Sequence, residues 1–338
     1  MGDSYAIQLA SGLWLCPSGQ VLGTASGGGG GGGGGTDPVA PYIGVDYSTA
    51  DTPEPWYFTD WEAVRMYRFS YYSGVLTRFP DTKYLGVTDA ANFSTTGGSA
   101  AAATLRSNLE TFYYGSGSAG RADIIYTFAP QNETDKNYQS GTLPTALINT
   151  YAACQAVVHE LNGDGSRRYP NARLTVDMTI NNITNFASGP RFKAIAPYLD
   201  EVSSSLYPPG RQADPPVFNA PSYLDPFLAM VADWSTSYPN IKEVSCWEIG
   251  SPIDHTGDNG EPNVGGTTDW TKRPGYHASL IDYLYTGVNA LGLNYRAHIY
   301  WNRQDNPLIP NQLKHDRYPD AQTTTAYDTV TAIHDWTP

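Results

Sequence analysis

Two kinds of hydrophobic pattern alternate along this chain. The first is a short run in which apolar residues crowd together. The second is a longer stretch in which they recur every three or four positions. The short runs are Tyr42 to Asp46, Val64 to Phe69, Lys83 to Val87, Ala122 to Phe128, Arg173 to Met178, Glu201 to Tyr207, Glu243 to Glu248 and Arg296 to Trp301. Each has strand length and composition. Helical spacing runs over Ala100 to Tyr113, Leu143 to Leu161, Phe192 to Tyr198, Tyr223 to Ser235 and His277 to Leu291, with Thr323 to Trp336 as a closing helix. Strands that alternate with helices predict a parallel sheet. Eight such strands over about 300 residues predict an α/β protein with a (β/α)8 barrel. One spacing is tight, because only the 13 residues Ser70 to Thr82 separate the second and third runs. That is short for a crossover helix. If the third run is not a barrel strand, every later strand number falls by one.

Ahead of this pattern stands a different one. Gly27 to Gly35 are nine consecutive glycines, a run with no side chain to bury and the greatest backbone freedom. It divides the chain into a short β-rich head, residues 1–26, a glycine linker, residues 27–38, and a body, residues 39–338. A head of this size cannot bury a core by itself, so it docks on something larger or is completed by identical copies. The glycine run reads either as a flexible tether or as extended segments packed side by side in an oligomer.

Composition narrows the partners. The net charge is −13, from 33 acidic and 20 basic residues, with no basic cluster, which argues against nucleic acid. No stretch reaches the ~20 apolar residues of a membrane span, and the first residues lack the pattern of a signal peptide. Cys16, Cys154 and Cys246 are too scattered for a disulfide framework or a zinc site, and the latter two read as buried thiols. The 25 tyrosines and 8 tryptophans are an excess of flat faces of the kind that stack on sugar rings.

Reactive groups of such a barrel sit at the C-terminal ends of its strands. Reading those ends yields Asp46, Arg68, the pair Asn132-Glu133, Asp177 with Asn181-Asn182, Tyr207, Glu248 and Trp301. A glutamate after the fourth strand and another on the seventh suit double displacement at an anomeric carbon. In the order Arg68, Asn132-Glu133, Tyr207, Glu248 and Trp301, the chain resembles the clan of retaining glycoside hydrolases built on (β/α)8 barrels. That resemblance implies Glu133 as general acid/base and Glu248 as nucleophile. It implies Asn132 on the sugar 2-hydroxyl, Arg68 and Tyr207 holding Glu248 ionised and oriented, and Trp301 as a stacking floor. Asp46 is a further candidate for a sugar hydroxyl. If the strand count slips, the acid position passes to Asp177 or Asn181. Each residue also has a structural reading: a polar loop for Glu133, an ion pair for Arg68, a core ring for Tyr207.

No cofactor is implied. Asp254 to Glu261 is an acidic loop that reads as solvated or as a calcium site, without EF-hand spacing, and the six histidines form no metal-ligand pair. There is no Gly-x-Ser-x-Gly elbow and no phosphate loop. A short head, a glycine tract and a sugar-hydrolase-like body together resemble the minor tail (tail-tip) proteins of phages that infect actinobacteria. The resemblance implies a virion protein made in the host cytoplasm, a host envelope polysaccharide as ligand, and contacts with other tail proteins and with its own copies through residues 1–38. A non-catalytic receptor-binding barrel and a free bacterial glycosidase are the other readings.

Overall fold

The structure is a computed structural model that describes residues 7–8, 14–15, 21–22, 40–47, 61–88, 98–115, 120–138, 141–179, 189–206, 220–249 and 273–300. In the head, three two-residue strands, β1 (Ile7–Gln8), β2 (Trp14–Leu15) and β3 (Val21–Leu22), form an antiparallel sheet with β2 in the middle. The glycine run lies outside the described residues.

The body is a closed barrel of eight parallel strands. They are β4 (Tyr42–Tyr47), β5 (Ala63–Met66), β6 (Tyr84–Thr88), β7 (Ile125–Ala129), β8 (Ala172–Thr179), β9 (Glu201–Leu206), β10 (Glu243–Ile249) and β11 (Asn294–Tyr300). Each strand pairs with the next in sequence, and β11 returns to pair with β4. The predicted (β/α)8 barrel is therefore the fold, and the eight predicted runs are its eight strands. The tight spacing after the second run still carries a crossover: a 3-10 turn, Phe69–Tyr71, leads into the seven-residue helix α1 (Tyr72–Arg78). That helix is about 10 Å long, and it buries Tyr72 and Val75 against the barrel. Glu133 accordingly follows the fourth strand, β7, and not the third.

The period-2 alternation of the strands separates two hydrophobic clusters. Outward residues such as Val45, Val64, Met66, Leu85, Phe128 and Val176 join a large outer core beneath the helices. Inward residues Ala63, Tyr84, Ala129, Trp247, Ala297 and Ile299 form a small plug inside the barrel. The outer layer includes α2 (Gly98–Tyr114) and α4 (Thr145–Val158), with the short α3 (Thr134–Asn137) between them. Ala101, Leu105, Leu109 and Phe112 of α2 repeat at helical spacing and are wholly buried, as are Tyr151, Cys154 and Val158 of α4. Burial pushes the Cys154 thiol up to about 12. Cys246, on β10, is buried in the same outer core. After the short α5 (Gly189–Phe192), two longer helices follow: α6 (Ala220–Ser237) and α7 (Arg273–Ala290). None of the described helices is long and apolar enough to cross a membrane. The predicted closing helix, Thr323 to Trp336, lies outside the described residues.

Two glycines make room inside the barrel. A Cβ on Gly44 would stand 1.7 Å from the Ala63 carbonyl oxygen. A Cβ on Gly86 would stand 3.0 Å from the Trp247 indole, which lies across that position. Trp247 is fully buried, and its Nε1–H donates to the Tyr84 hydroxyl at 2.7 Å.

The register of β10 breaks at this tryptophan. Against β9, Ser245 pairs with Ser203 and Cys246 with Ser204, and then Glu248, not Trp247, pairs with Ser205. This β-bulge sets two residues of β10 against one step of β9. Under strict alternation Glu248 would face the outer apolar core. The bulge aligns it instead with Ser205, whose hydroxyl donates to the inward Asp177.

Candidate functional site

Asp46, Arg65, Asp177 and Glu248 lie near the C-terminal ends of β4, β5, β8 and β10, and each is at most 2% exposed. Arg65 is the hub. Its Nη1 makes an ion pair with Glu248 Oε1, and its Nη2 pairs with Asp177 Oδ2 at 3.0 Å. The same Nη2 donates to Asn132 Oδ1, and Nε and Nη2 both donate to Thr88 Oγ1, at 3.3 and 3.2 Å. The guanidinium lies 4.6 Å from the centre of the Tyr67 ring and 5.6 Å from that of Trp247, a cation–π arrangement.

The sequence reading placed this basic role on Arg68, and the structure corrects the position. β5 ends at Met66, and Arg68 is exposed at the start of the 3-10 turn. Alternation turns Val64 and Met66 outward, so Ala63 and Arg65 face the barrel axis. The guanidinium beside Glu248 is that of Arg65.

A tyrosine also meets Glu248, and it is one that sequence reasoning missed. The Tyr67 hydroxyl donates to Glu248 Oε1 at 2.7 Å. Burial raises the Tyr67 phenol well above its ordinary value, with the carboxylates of Asp46, Asp177 and Glu133 adding to the rise and Arg65 opposing it. The phenol therefore keeps its proton and serves as a donor. Tyr207 and Trp301, expected as orienting phenol and stacking floor, lie outside the described residues. So do Asn181, Asn182 and the acidic loop Asp254 to Glu261.

Past the end of β7 the chain turns sharply. Glu133 has φ +44° and ψ +56°, and among the described residues it is the only one other than glycine with a positive φ. A left-handed non-glycine residue costs about 1–2 kcal/mol, and such strain persists only where the surroundings over-determine it. Here they do. The Glu133 N–H donates to Asp177 Oδ2 at 3.2 Å, and Asn132 is held by Arg65. The Thr134 hydroxyl donates to the Gln131 carbonyl at 3.3 Å, and Asp135 Oδ1 accepts the Thr179 N–H at 2.7 Å. The segment is thus fastened to β8 at two points and to β5 at a third.

Asp135 is a second residue that the sequence did not single out. It is 2% exposed. Burial raises its carboxyl to about 6, with Asp177 and Glu133 adding to the rise and the Thr179 N–H opposing it. Asp177 is also pushed up by burial, against Arg65, the Glu133 N–H and the Ser205 hydroxyl. Asp46, an expected sugar-hydroxyl ligand, is fully buried on β4 with its Cα in register with Arg65.

The structure therefore brings Asn132, Asp177 and Glu248 together around one guanidinium. Glu133 is adjacent, with its backbone fixed to Asp177. One glutamate follows the fourth strand and one stands on the seventh. A carboxylate that carries an arginine and a phenol on one oxygen is held ionised, as a nucleophile or an electrostatic stabiliser must be.

Neither a protein-family model nor a curated protein matches this sequence. Solved structures do match. A Cellulomonas fimi endo-β-1,4-mannanase double mutant superposes with a TM-score of 0.50 and 12% identity, over 85% of this chain and 74% of that one. A family 5 xyloglucanase from Paenibacillus pabuli superposes with a TM-score of 0.49 and 12% identity, over 88% of this chain and 98% of that one. A GH10 endoxylanase from a sugarcane soil metagenome gives 0.48 and 10% identity over the same shares, 88% and 98%. At such identity the likeness is one of fold, the (β/α)8 barrel.

Proposed function

We propose that this barrel binds a polysaccharide and cleaves it by a retaining two-glutamate mechanism. The observation that carries the reading is Glu248. It is a buried carboxylate on the seventh strand, turned inward by a bulge, with Arg65 and Tyr67 both on Oε1. In the first step Glu248 attacks the anomeric carbon, while Glu133 gives its proton to the departing glycosidic oxygen. In the second, Glu133 takes a proton from water, which attacks the same carbon and releases Glu248. Asn132 and Asp46 are the candidates for sugar hydroxyls, and Tyr207 and Trp301 the candidates for the cleft wall.

Retention requires the two carboxyl groups to stand about 5–5.5 Å apart. Proton NMR of the first anomer released from xylan, mannan, xyloglucan or an actinobacterial envelope polysaccharide reads this out directly. Glu248→Gln is expected to lose turnover by several orders of magnitude and to keep polysaccharide binding. Equal product release by the variant and the wild type refutes the assignment. Binding without cleavage by the wild type favours a receptor-binding barrel that does no chemistry.

The wider setting we infer is a phage tail tip. Residues 1–26 are an attachment segment, residues 27–38 a tether, and residues 39–338 the host-facing domain, in a protein that reaches the virion from the host cytoplasm. The nine-glycine run and the small three-stranded sheet ahead of it support this division. Light scattering on the full chain and on a chain lacking residues 1–38 tests it. An oligomer that becomes a monomer on truncation is expected, and an unchanged molecular mass refutes a role in assembly.

A further inference from the structure

Asp177 joins two parts of the site that the chain itself keeps apart. One of its oxygens, Oδ2, accepts both from Arg65 Nη2 at 3.0 Å and from the Glu133 N–H at 3.2 Å. The other, Oδ1, accepts from the Ser205 hydroxyl at 3.2 Å. The side chain is fully buried. Three donors converge on it, which suits a carboxylate. The guanidinium that it holds is also the one paired with Glu248.

We propose that Asp177 is a positioning residue that couples the two glutamates: a single carboxylate fastens the turn that carries Glu133 and shares Arg65 with Glu248, so its charge governs the protonation of both. The proposal extends the two-glutamate reading, on which its catalytic meaning rests. The coupling itself exists whether or not a sugar is cleaved.

The sign follows from electrostatics. With Asp177 ionised, the one positive charge of Arg65 is divided between two carboxylates, so Glu248 receives part of it. Neutralising residue 177 gives Glu248 the whole charge and favours its ionised form. It also removes an anion that opposes the ionisation of Glu133. Both glutamates should then titrate at lower pH. A side chain that only filled space would not move one residue on β10 and another past the end of β7 in the same direction. The other groups facing Asp177 are Tyr67 beyond β5, Asp135 beyond β7 and Tyr151 of α4. The two phenols, pushed up by burial, stay protonated across the range of the experiment. Asp135, raised to about 6, does not. The titrations are therefore run in an Asp135→Asn background as well.

The test is a carboxyl carbon-13 NMR titration of the full chain labelled at glutamate, with the two resonances assigned through Glu133→Gln and Glu248→Gln. In Asp177→Asn, Glu133 and Glu248 should each titrate about one pH unit lower than in the wild type, the usual order for loss of one close charge. No shift, or shifts in opposite directions, overturns the coupling. Asp177→Ser, a smaller neutral side chain, removes the same anion and should move both titrations the same way. If Asp177→Asn does not fold, that variant decides, and unchanged titrations in it overturn the proposal. Where the wild type is active, both limbs of the pH profile of kcat/KM should shift to lower pH in Asp177→Asn. A wild type with no activity on any polysaccharide removes the hydrolase reading, while the titration still decides for Asp177.

Discussion

Arg65→Met is the most informative single change to the barrel. The guanidinium is fully buried between two carboxylates, Asp177 and Glu248, and it also serves Asn132 and Thr88. Methionine fills much of the same volume but brings no charge. Removing one partner of a buried ion pair costs about 3–5 kcal/mol, because the charge left behind is uncompensated. Against a total stability of about 5–15 kcal/mol, that is a large share. The loss should depend on pH, in a direction that can be worked out. Without Arg65 the carboxyl of Asp177, already raised by burial, goes up further and that of Glu248 loses its paired cation, so the folded variant binds more protons than the unfolded chain. Its stability therefore falls as pH rises through that window. Near pH 4 to 5 the two carboxyls accept protons and the defect is small. At pH 8 both must be held as anions and the defect is at its full size. Urea unfolding at the two pH values, read from the midpoint at constant slope, measures the difference. The triple variant Arg65→Met, Asp177→Asn, Glu248→Gln should recover most of the loss at pH 8, since it removes the stranded charges together with their partner. A defect of equal size at both pH values, or a triple variant no better than the single one, would mean that Arg65 is held by packing and not by charge.

Three further changes test other parts of the structure. Asp135→Asn keeps the acceptor for the Thr179 N–H and removes a carboxyl that burial raises to about 6; the penalty of its ionised form is present above that pH and absent below about 4. The variant should thus gain up to about 3 kcal/mol over the wild type at pH 8 and nothing at pH 4, by urea unfolding. Gly86→Ala puts a methyl 3.0 Å from the Trp247 indole and should cost about 1–3 kcal/mol, of which Trp247→Phe in the same chain should restore part. Tyr84→Phe removes the hydroxyl that accepts from Trp247 Nε1 and donates to Glu201 Oε1, which keeps the Ser203 hydroxyl on that oxygen, and should cost about 1–3 kcal/mol. That loss should be greater at pH 8 than at pH 5, because burial already raises Glu201 to about 7 and the variant removes a donor that favours its ionised form.

The barrel was legible because its signal is local and repeated. Each strand is a short apolar run, each helix a 3.6-residue rhythm, and even the crossover of α1 fits into its short spacer. The ends of the strands were legible as places. What occupies them depends on parity, and parity is lost when a run is read only to its last residue. The run Val64 to Phe69 ends beyond β5, so its last basic residue, Arg68, stood in for Arg65. The alternation of Val64 and Met66 with Arg65 and Tyr67 was the signal that could have separated the two. Glu248 posed the opposite problem. Strict alternation through Glu243, Ser245 and Trp247 would face it outward, and only the bulge against β9 turns it in. A bulge is a property of two strands paired together and has no mark in one strand's sequence. Asp135 reads as part of a polar loop, because its burial comes from β8, which lies some 40 residues on.

The two ends of the barrel differ in how their charges are met. At the N-terminal ends of β9 and β10, Glu243 has Arg296 at 2.6 Å and Arg173 at 3.6 Å, and the buried Glu201 stands in register beside it, two cations for two carboxyls. At the C-terminal ends, five carboxyls (Asp46, Glu133, Asp135, Asp177 and Glu248) gather around the guanidinium of Arg65. Stability alone gives no reason for the second arrangement, since inward positions of a barrel are commonly filled by branched apolar residues. Burial opposes ionisation at Asp135 and Asp177, and Glu133 adds a strained backbone at the same place. Costs of these kinds collect where protons must be held away from their ordinary equilibrium. In a two-step displacement that need is specific: one carboxyl stays charged while its neighbour keeps a proton to give. A single arginine set among several buried carboxyls supplies both conditions. It holds the anion it pairs with directly, as it does Glu248, while burial raises the proton affinity of Asp135 and Asp177 beside it. The uneven charge of this end is thus a physical requirement of the proposed chemistry, and the balanced end shows that the fold itself does not demand it.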